Sequence, residues 1–228
     1  MSKNLLVVES DNDKYFIEAF IKYLNLDENI TVDTPVLDTP ICKIDDFECL
    51  GGINKLGNKL HRIKARIERE DIKKLGIILD ADKEGIAKRI KFINQNLKEN
   101  ICSDATLADI NTLIKSEELE VEIACYITNV DGQGELETLL KVIKSKDSTF
   151  ADCLNKWREC LENNGKSIND KQFDKFWINI YQRFDTCSKK EQYQAHKKCS
   201  GETSMKKDIW NFEHEKLNDL RVFLQLFS

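Results

Sequence analysis

No apolar run in the 228-residue sequence approaches the ~20 residues that a membrane-spanning helix needs, so no membrane partner is expected. There is no C-x-x-C pair: the eight cysteines stand at positions 42, 49, 102, 125, 153, 160, 187 and 199. The close thiolate pairs of a structural zinc site are therefore missing. The three histidines, His61, His196 and His214, are scattered, which leaves little for a histidine-rich metal centre or a Ser-His-Asp triad. The opening "MSKNLLVVESDND" lacks the long apolar core and small-residue cleavage site of a secretory leader. No internal repeat or low-complexity tract is present. These absences fit a cytoplasmic chain whose cysteines are mostly reduced. Cys125 in "EIACYI" reads as a small core residue, as do Cys153 and Cys160, seven apart on a helical pattern.

What is present is a charge-rich globular composition: 41% hydrophobic, 33% charged and a formal net charge of −5. The hydrophobic share is enough for a core. The acidic balance argues against binding nucleic acid through bulk electrostatics alone. One stretch, "SKKEQYQAHKKCSGETSMKK", runs the other way. Its Lys189, Lys190, Lys197 and Lys198, followed by Lys206 and Lys207, read either as a solvated surface or as a phosphate-contacting patch.

"LLVV" before Glu9 and "KKLGIILDAD" (73–82) are short continuous apolar runs, the mark of strands covered on both faces. "EVEIACYIT" (120–128) is a third strand, and "ICKI" (41–44) a weaker candidate beyond a loop holding Pro35 and Pro40. Helices are expected after each. Ser10 or Asp11 caps one carrying Phe16 and Phe20. Another, opened by Gly51 and Gly52, carries Ile53, Leu56, Leu60, Ile63 and Ile67. A third carries Ile86, Ile90, Ile93 and Leu97, and a fourth begins near Glu135 after the turn "DGQGE". Alternating strands and helices predict a βαβ-built, mainly parallel four-stranded sheet over residues 1–147. From about 148 to 228 only helical patterns follow, an α-helical C-terminal extension. In it "FDKFWINIY" places Phe173, Phe176, Trp177, Ile180 and Tyr181 at helical spacing, as core packing rather than a base-stacking surface.

Ligands of an open parallel sheet bind beyond the carboxyl ends of its strands. Glu9 ends the first strand, Asp80 and Asp82 end the third, and Asp13 sits one helical turn past Glu9. Asp80 and Asp82, two apart in an extended segment, are expected to point the same way. Each acid also has an ordinary reading as a helix cap or first-turn residue, and for Glu135 and Glu137 that reading is the stronger. Grouped like charges are costly unless a cation neutralises them, and carboxylate oxygens are what Mg²⁺ takes.

"VVESDNDKYF", then "IILDADKEG", then "GQGELETLL" resembles the Toprim domain, in particular small stand-alone Toprim-like proteins related to the OLD-type nuclease branch. The resemblance covers residues 3 to about 145, and the closing "NFEHEKLNDLRVFLQLF" is similar to their C-terminal helix. It implies a Rossmann-like Toprim fold and one or two Mg²⁺ or Mn²⁺ ions held by Asp80 and Asp82, with Glu9 as ligand or proton-transfer group. It implies Asp13 and Glu137 as a second metal set, and a late lysine, for which Lys190 is nominated. Toprim domains place glycine after the glutamate; here Ser10 follows Glu9, which lacks glycine's close approach to a phosphate.

The resulting expectation is a metal-dependent DNA or RNA endonuclease, in a defence or repair setting with a partner ATPase, and with the oligomeric state left open. A topoisomerase needs a tyrosine-bearing second domain and a primase a zinc module, and neither is present. A receiver-like phosphoacceptor expects nearly the reverse placement of acids. The alternative from another class is a non-catalytic module that binds nucleic acid or a nucleotide.

Overall fold

The computed structural model describes residues 3–26, 29–34 and 56–228. The expected "ICKI" strand, the Pro35–Pro40 loop, Ile53, Cys42 and Cys49 lie outside them. The sheet has five strands in the order β2-β1-β3-β5-β4. These are β1 (Lys3–Val8), β2 (Ile30–Asp33), β3 (Ile72–Asp80), β4 (Ile114–Ser116) and β5 (Val121–Thr128). β1, β2, β3 and β5 pair in parallel, and β4 is an antiparallel edge on β5. The expected four-stranded count is therefore corrected to five. β2 and β4 are edge strands of four and three residues, too short to carry a pattern.

The central strands are buried on both faces because each face has its own helical layer. Leu5, Val7, Leu75, Ile77, Leu79, Ile123, Cys125 and Ile127 point to one side. There they meet the helices Leu56–Glu70 and Ile86–Asn100, whose Leu60, Ile63, Ile93 and Leu97 are buried. Leu6, Val8, Ile78, Ala124 and Tyr126 point to the other side. That side is covered by α1 (Asp11–Tyr23) and, with α2 (Leu56–Glu70) and α3 (Ile86–Asn100) on the opposite face, by α4 (Leu136–Val142). Later helices complete the cover: α5 (Thr149–Asp152), α6 (Leu154–Asn163), α7 (Asp170–Ile180), α8 (Lys189–Gln192), α9 (Ala195–Lys198), α10 (Gly201–Ser204) and α11 (Asn218–Gln225). Phe173, Trp177, Tyr181, Phe223 and Phe227 enter the same core as β1, β3 and β5. Residues 148–228 thus complete the layer that α1 and α4 begin.

Gly76 makes that layer fit. A Cβ there would lie 2.4 Å from Leu6 Cδ2 and 2.7 Å from Phe227 Cζ. Asn4 Nδ2 donates to the Phe227 carbonyl and Lys74 Nζ to the Leu226 carbonyl, at 2.6 and 2.5 Å. Phe176 of α7 is exposed, unlike its neighbours Phe173 and Trp177. Cys125 is buried as expected, whereas Cys153 and Cys160 are exposed, because α6 buries no residue at all. Cys187 and Cys199 form a disulfide, their Cα atoms 6.2 Å apart, one exception to the expected reduced thiols. Among the described residues no helix is long and apolar enough to cross a membrane.

Candidate functional site

The strand order changes direction between β1 and β3, so the crevice beyond their carboxyl ends is the natural site of the fold. Glu9 is the first residue past β1. Its Oε2 accepts a hydrogen bond from the Asp80 backbone N–H at 3.2 Å, which ties the two strand ends together. Ser10 then caps α1: the Asp13 N–H donates to Ser10 Oγ, and the Ser10 N–H and Oγ both donate to Asp13 Oδ2. This reciprocal box gives Ser10 a purpose that glycine could not serve. Asp13 and Asp80 are buried. Asp80 Oδ1 accepts from the Leu136 N–H at 3.2 Å, at the start of α4.

These acids feel one another. Burial, helped by the charges of Glu9 and Glu137, raises the Asp13 carboxyl to about 7 despite its bonds from Ser10. Burial first, then the charges of Asp13, Glu9, Glu137 and Asp82, holds Asp80 well above the usual carboxylate range. Glu9 is raised by burial, with Asp82 adding to it, against the Asp80 N–H and the more distant Lys171 and Arg89. Glu9, Asp13, Asp80 and Glu137 therefore form one acid cluster.

Asp82 stands apart, which corrects the expectation that it points with Asp80. Its backbone is left-handed, φ 48°, a conformation aspartate tolerates. It is held there by paired bonds with Gly134, Asp82 N to Gly134 O at 2.8 Å and Gly134 N to Asp82 O at 2.9 Å. Gly134 itself has φ +94°, and a Cβ would press on Thr138 at 3.1 Å. The Asp82 carboxylate is gripped by Arg89 and by Lys171 Nζ, the latter at 2.8 Å.

Lys171 also lies 2.9 Å from Glu135 Oε2. Burial alone would lower the Lys171 ammonium, but its bonds to Asp82 and Glu135 raise it instead. Glu135 is buried, and burial raises its carboxyl against the pull of Lys171. Its Oε1 has no hydrogen-bond partner among the described residues, nor has Arg89 Nε. Both residues line a groove of about 770 Å³ together with Asp82, Thr138, Lys171 and Asp174. A smaller cleft of about 210 Å³ beside it is lined by Asn12, Glu137, Lys175 and Gly201 among others.

Lys171 and Arg89 are not singled out by the sequence pattern, and Glu135 is singled out there as a helix start, which it is, capping α4. Lys171 had one usable signal: Asn169 caps α7, so the lysine falls in a first helical turn, where a positive charge opposes the helix dipole and needs an acidic partner. Lys190, the nominated lysine, is exposed on α8, which packs against α9. Lys189, Lys197 and Lys198 are exposed beside it.

The donor set suits a hard divalent cation in kind: oxygen ligands only, each disfavouring the charge of the next. Among the described residues no three such groups already converge at ligating geometry. Asp13 is turned to Ser10 and Asp80 to Leu136, so an ion shared by Glu9, Asp80, Asp13 and Glu137 requires side-chain rotation.

A comparison with curated proteins finds no match. Among solved structures, the hypothetical protein PH0156 from Pyrococcus horikoshii OT3 is similar over 100% of this chain and 98% of its own, with a TM-score of 0.51 and 14% identity, a likeness of fold. Residues 3–228 match the family described as "Protein of unknown function (DUF3226)", and the chain belongs to that family.

Proposed function

We propose that this protein is a Toprim-type, metal-dependent phosphodiester hydrolase acting on DNA or RNA. The observation that carries the reading is that the Glu9 side chain is tied to Asp80 where β1 and β3 end, beside a buried Asp13, with burial and neighbouring acidic charges raising Asp13 and Asp80. Buried acids that raise one another have a deficit of positive charge, and a divalent cation makes it good. Glu9 and Asp80, with Asp13 and Glu137 behind them, would hold Mg²⁺ or Mn²⁺. A bound ion of this kind supplies Lewis-acid activation of a phosphodiester and of the attacking water.

The chain's own groups do the rest. Lys171 and Arg89 line the adjoining groove and offer their cationic heads to a phosphate once Asp82 yields them. Glu9, steadied by the Asp80 N–H, would serve either as a ligand of that ion or as the group that takes a proton from the attacking water. Lys189, Lys190, Lys197 and Lys198 contact more distant phosphates, and a partner ATPase supplies regulation. The test is cleavage of plasmid and single-stranded DNA and RNA with Mg²⁺ or Mn²⁺, abolished in Glu9→Gln.

A second reading, a non-catalytic nucleic-acid or nucleotide-binding module, is favoured by Asp82 being already neutralised by Arg89 and Lys171. Binding without cleavage across both metals and all substrates selects it.

A further inference from the structure

Among the described residues the disulfide Cys187–Cys199 stands beside four free thiols, Cys102, Cys125, Cys153 and Cys160. Such a mixture is the pattern of an exchangeable pair rather than of a disulfide framework, in which the cysteines pair throughout. The bond closes a segment with no apolar anchor of its own. Cys187 precedes Ser188, the cap of α8, and Cys199 ends α9. Neither helix buries a residue, and every position from 188 to 198 is exposed or half-buried. The two cysteines at its ends are buried. The remaining ties are polar. Ser188 and Glu191 cap one another, Gln192 Nε2 donates to the Cys187 carbonyl at 3.1 Å, and Thr203 Oγ1 donates to the Lys197 carbonyl at 2.7 Å. Lys189, Lys190, Lys197 and Lys198 all ride on this segment. The same bond joins two walls of the smaller cleft: Gln182, before Cys187, and Gly201, after Cys199, both line it with Glu137.

A charge beside the sulfur gives the pair a direction of reaction. Lys207 Nζ lies 3.1 Å from Cys187 Sγ and 2.9 Å from Glu191 Oε1. A lysine ammonium beside a sulfur stabilises the thiolate, the species that both attacks and leaves in thiol–disulfide exchange. Cys187 is therefore the leaving sulfur and Cys199 the one attacked. We propose that Cys187–Cys199 is a reversible redox site, exchanged with a small thiol of the glutathione type, whose bonded form fixes the lysine-bearing segment 188–198 and whose reduced form releases it. A glutathione thiolate attacks Cys199 Sγ, the S–S bond breaks, and its electron pair departs on Cys187 Sγ beside Lys207. A second glutathione thiolate attacks the glutathione sulfur of the mixed disulfide and releases oxidised glutathione and Cys199. The two protons shed by the glutathione thiols balance those taken up by the two cysteines. Closure by oxidised glutathione is the reverse. The inference is independent of the metal-site reading.

Redox titration of the intact chain in mixtures of reduced and oxidised glutathione, quenched with iodoacetamide and mapped by mass spectrometry, tests it. Cys187 and Cys199 should pass together from bonded to alkylated as the mixture becomes reducing, with the far-UV circular dichroism of the chain retained. Amide hydrogen exchange should rise about 10-fold or more across 188–198 in the reduced chain, and to the same level in the double Cys187→Ser, Cys199→Ser variant. Lys207→Met should slow reduction by glutathione about 10-fold, and Lys207→Arg should restore it. A pair still bonded in reduced glutathione alone is a structural disulfide and overturns the proposal, as does a pair that oxidised glutathione never closes. Equal exchange across 188–198 in the bonded and reduced chains overturns the release. A Lys207→Met chain reduced as fast as the wild type overturns the part given to Lys207.

Discussion

The Glu9 side chain accepts a hydrogen bond from the backbone of Asp80, 71 residues further along the chain. Because the donor is main chain, the link survives changes to the Asp80 side chain and fails only when Glu9 is altered. Asparagine at position 80 would also keep an oxygen for the Leu136 N–H. In metal-free buffer Asp80→Asn should therefore stabilise the protein by removing a buried like charge, raising Tm by about 2–4 °C per kcal/mol relieved. Mg²⁺ should raise the Tm of the wild type and leave that of Asp80→Asn nearly unmoved. Equal metal shifts in both proteins, measured by calorimetry, would remove Asp80 from the metal site.

The same cluster sets a pH dependence with a definite sign. Asp13 titrates at about 7 in the folded protein against an ordinary value of 3.8. Between those values the native state holds a proton that the unfolded chain has released, so stability falls as pH rises through that window. In EDTA, Tm should drop by several degrees from about pH 5 to about pH 8, and the slope should flatten in Asp13→Asn. A Tm that rises over this range would show the cluster to be compensated by something else.

Lys171 is the cation shared by Asp82 and Glu135. Replacing it with methionine leaves the buried Glu135 carboxylate without its ion pair, at a cost of about 2 kcal/mol, or roughly 4–8 °C in Tm. The second substitution Glu135→Gln should recover much of that loss. A double-mutant cycle measures the coupling, and additive losses would mean that the pair contributes nothing.

Gly76→Ala probes the join between sheet and late helices. The new methyl would enter space held by Leu6, Phe223 and Phe227. Overpacking of this kind should cost about 1–3 kcal/mol, read as a lower urea midpoint with an unchanged slope.

The parts of the fold that were legible in sequence are those with a strong physical period. β1, β3 and β5 announce themselves because strands covered on both faces must be apolar throughout. β2 and β4 do not, since a short edge strand needs few apolar residues. Glu9 and Asp80 are legible because a charge at the end of a buried strand is conspicuous, and Asp13 because it falls one helical turn past Glu9. Arg89 and Lys171 were not: on a helix surface a lysine that grips a buried acid and one that faces only water look alike. Asp82 was misread as extended because its left-handed turn depends on a partner, Gly134, supplied from 52 positions later in the sequence. Cys153 and Cys160 were misread as core because helical spacing tells which residues share a face and not whether anything packs on it.

Lys74 closes on the Leu226 carbonyl across 152 residues. On a ribosome working at ~5–20 residues per second, that separation leaves the part of the β1–β3 face that Phe223 and Phe227 cover open for roughly 8–30 s, beside the cover already given by α1 and α4. A fragment cut near residue 147 would keep that part open permanently.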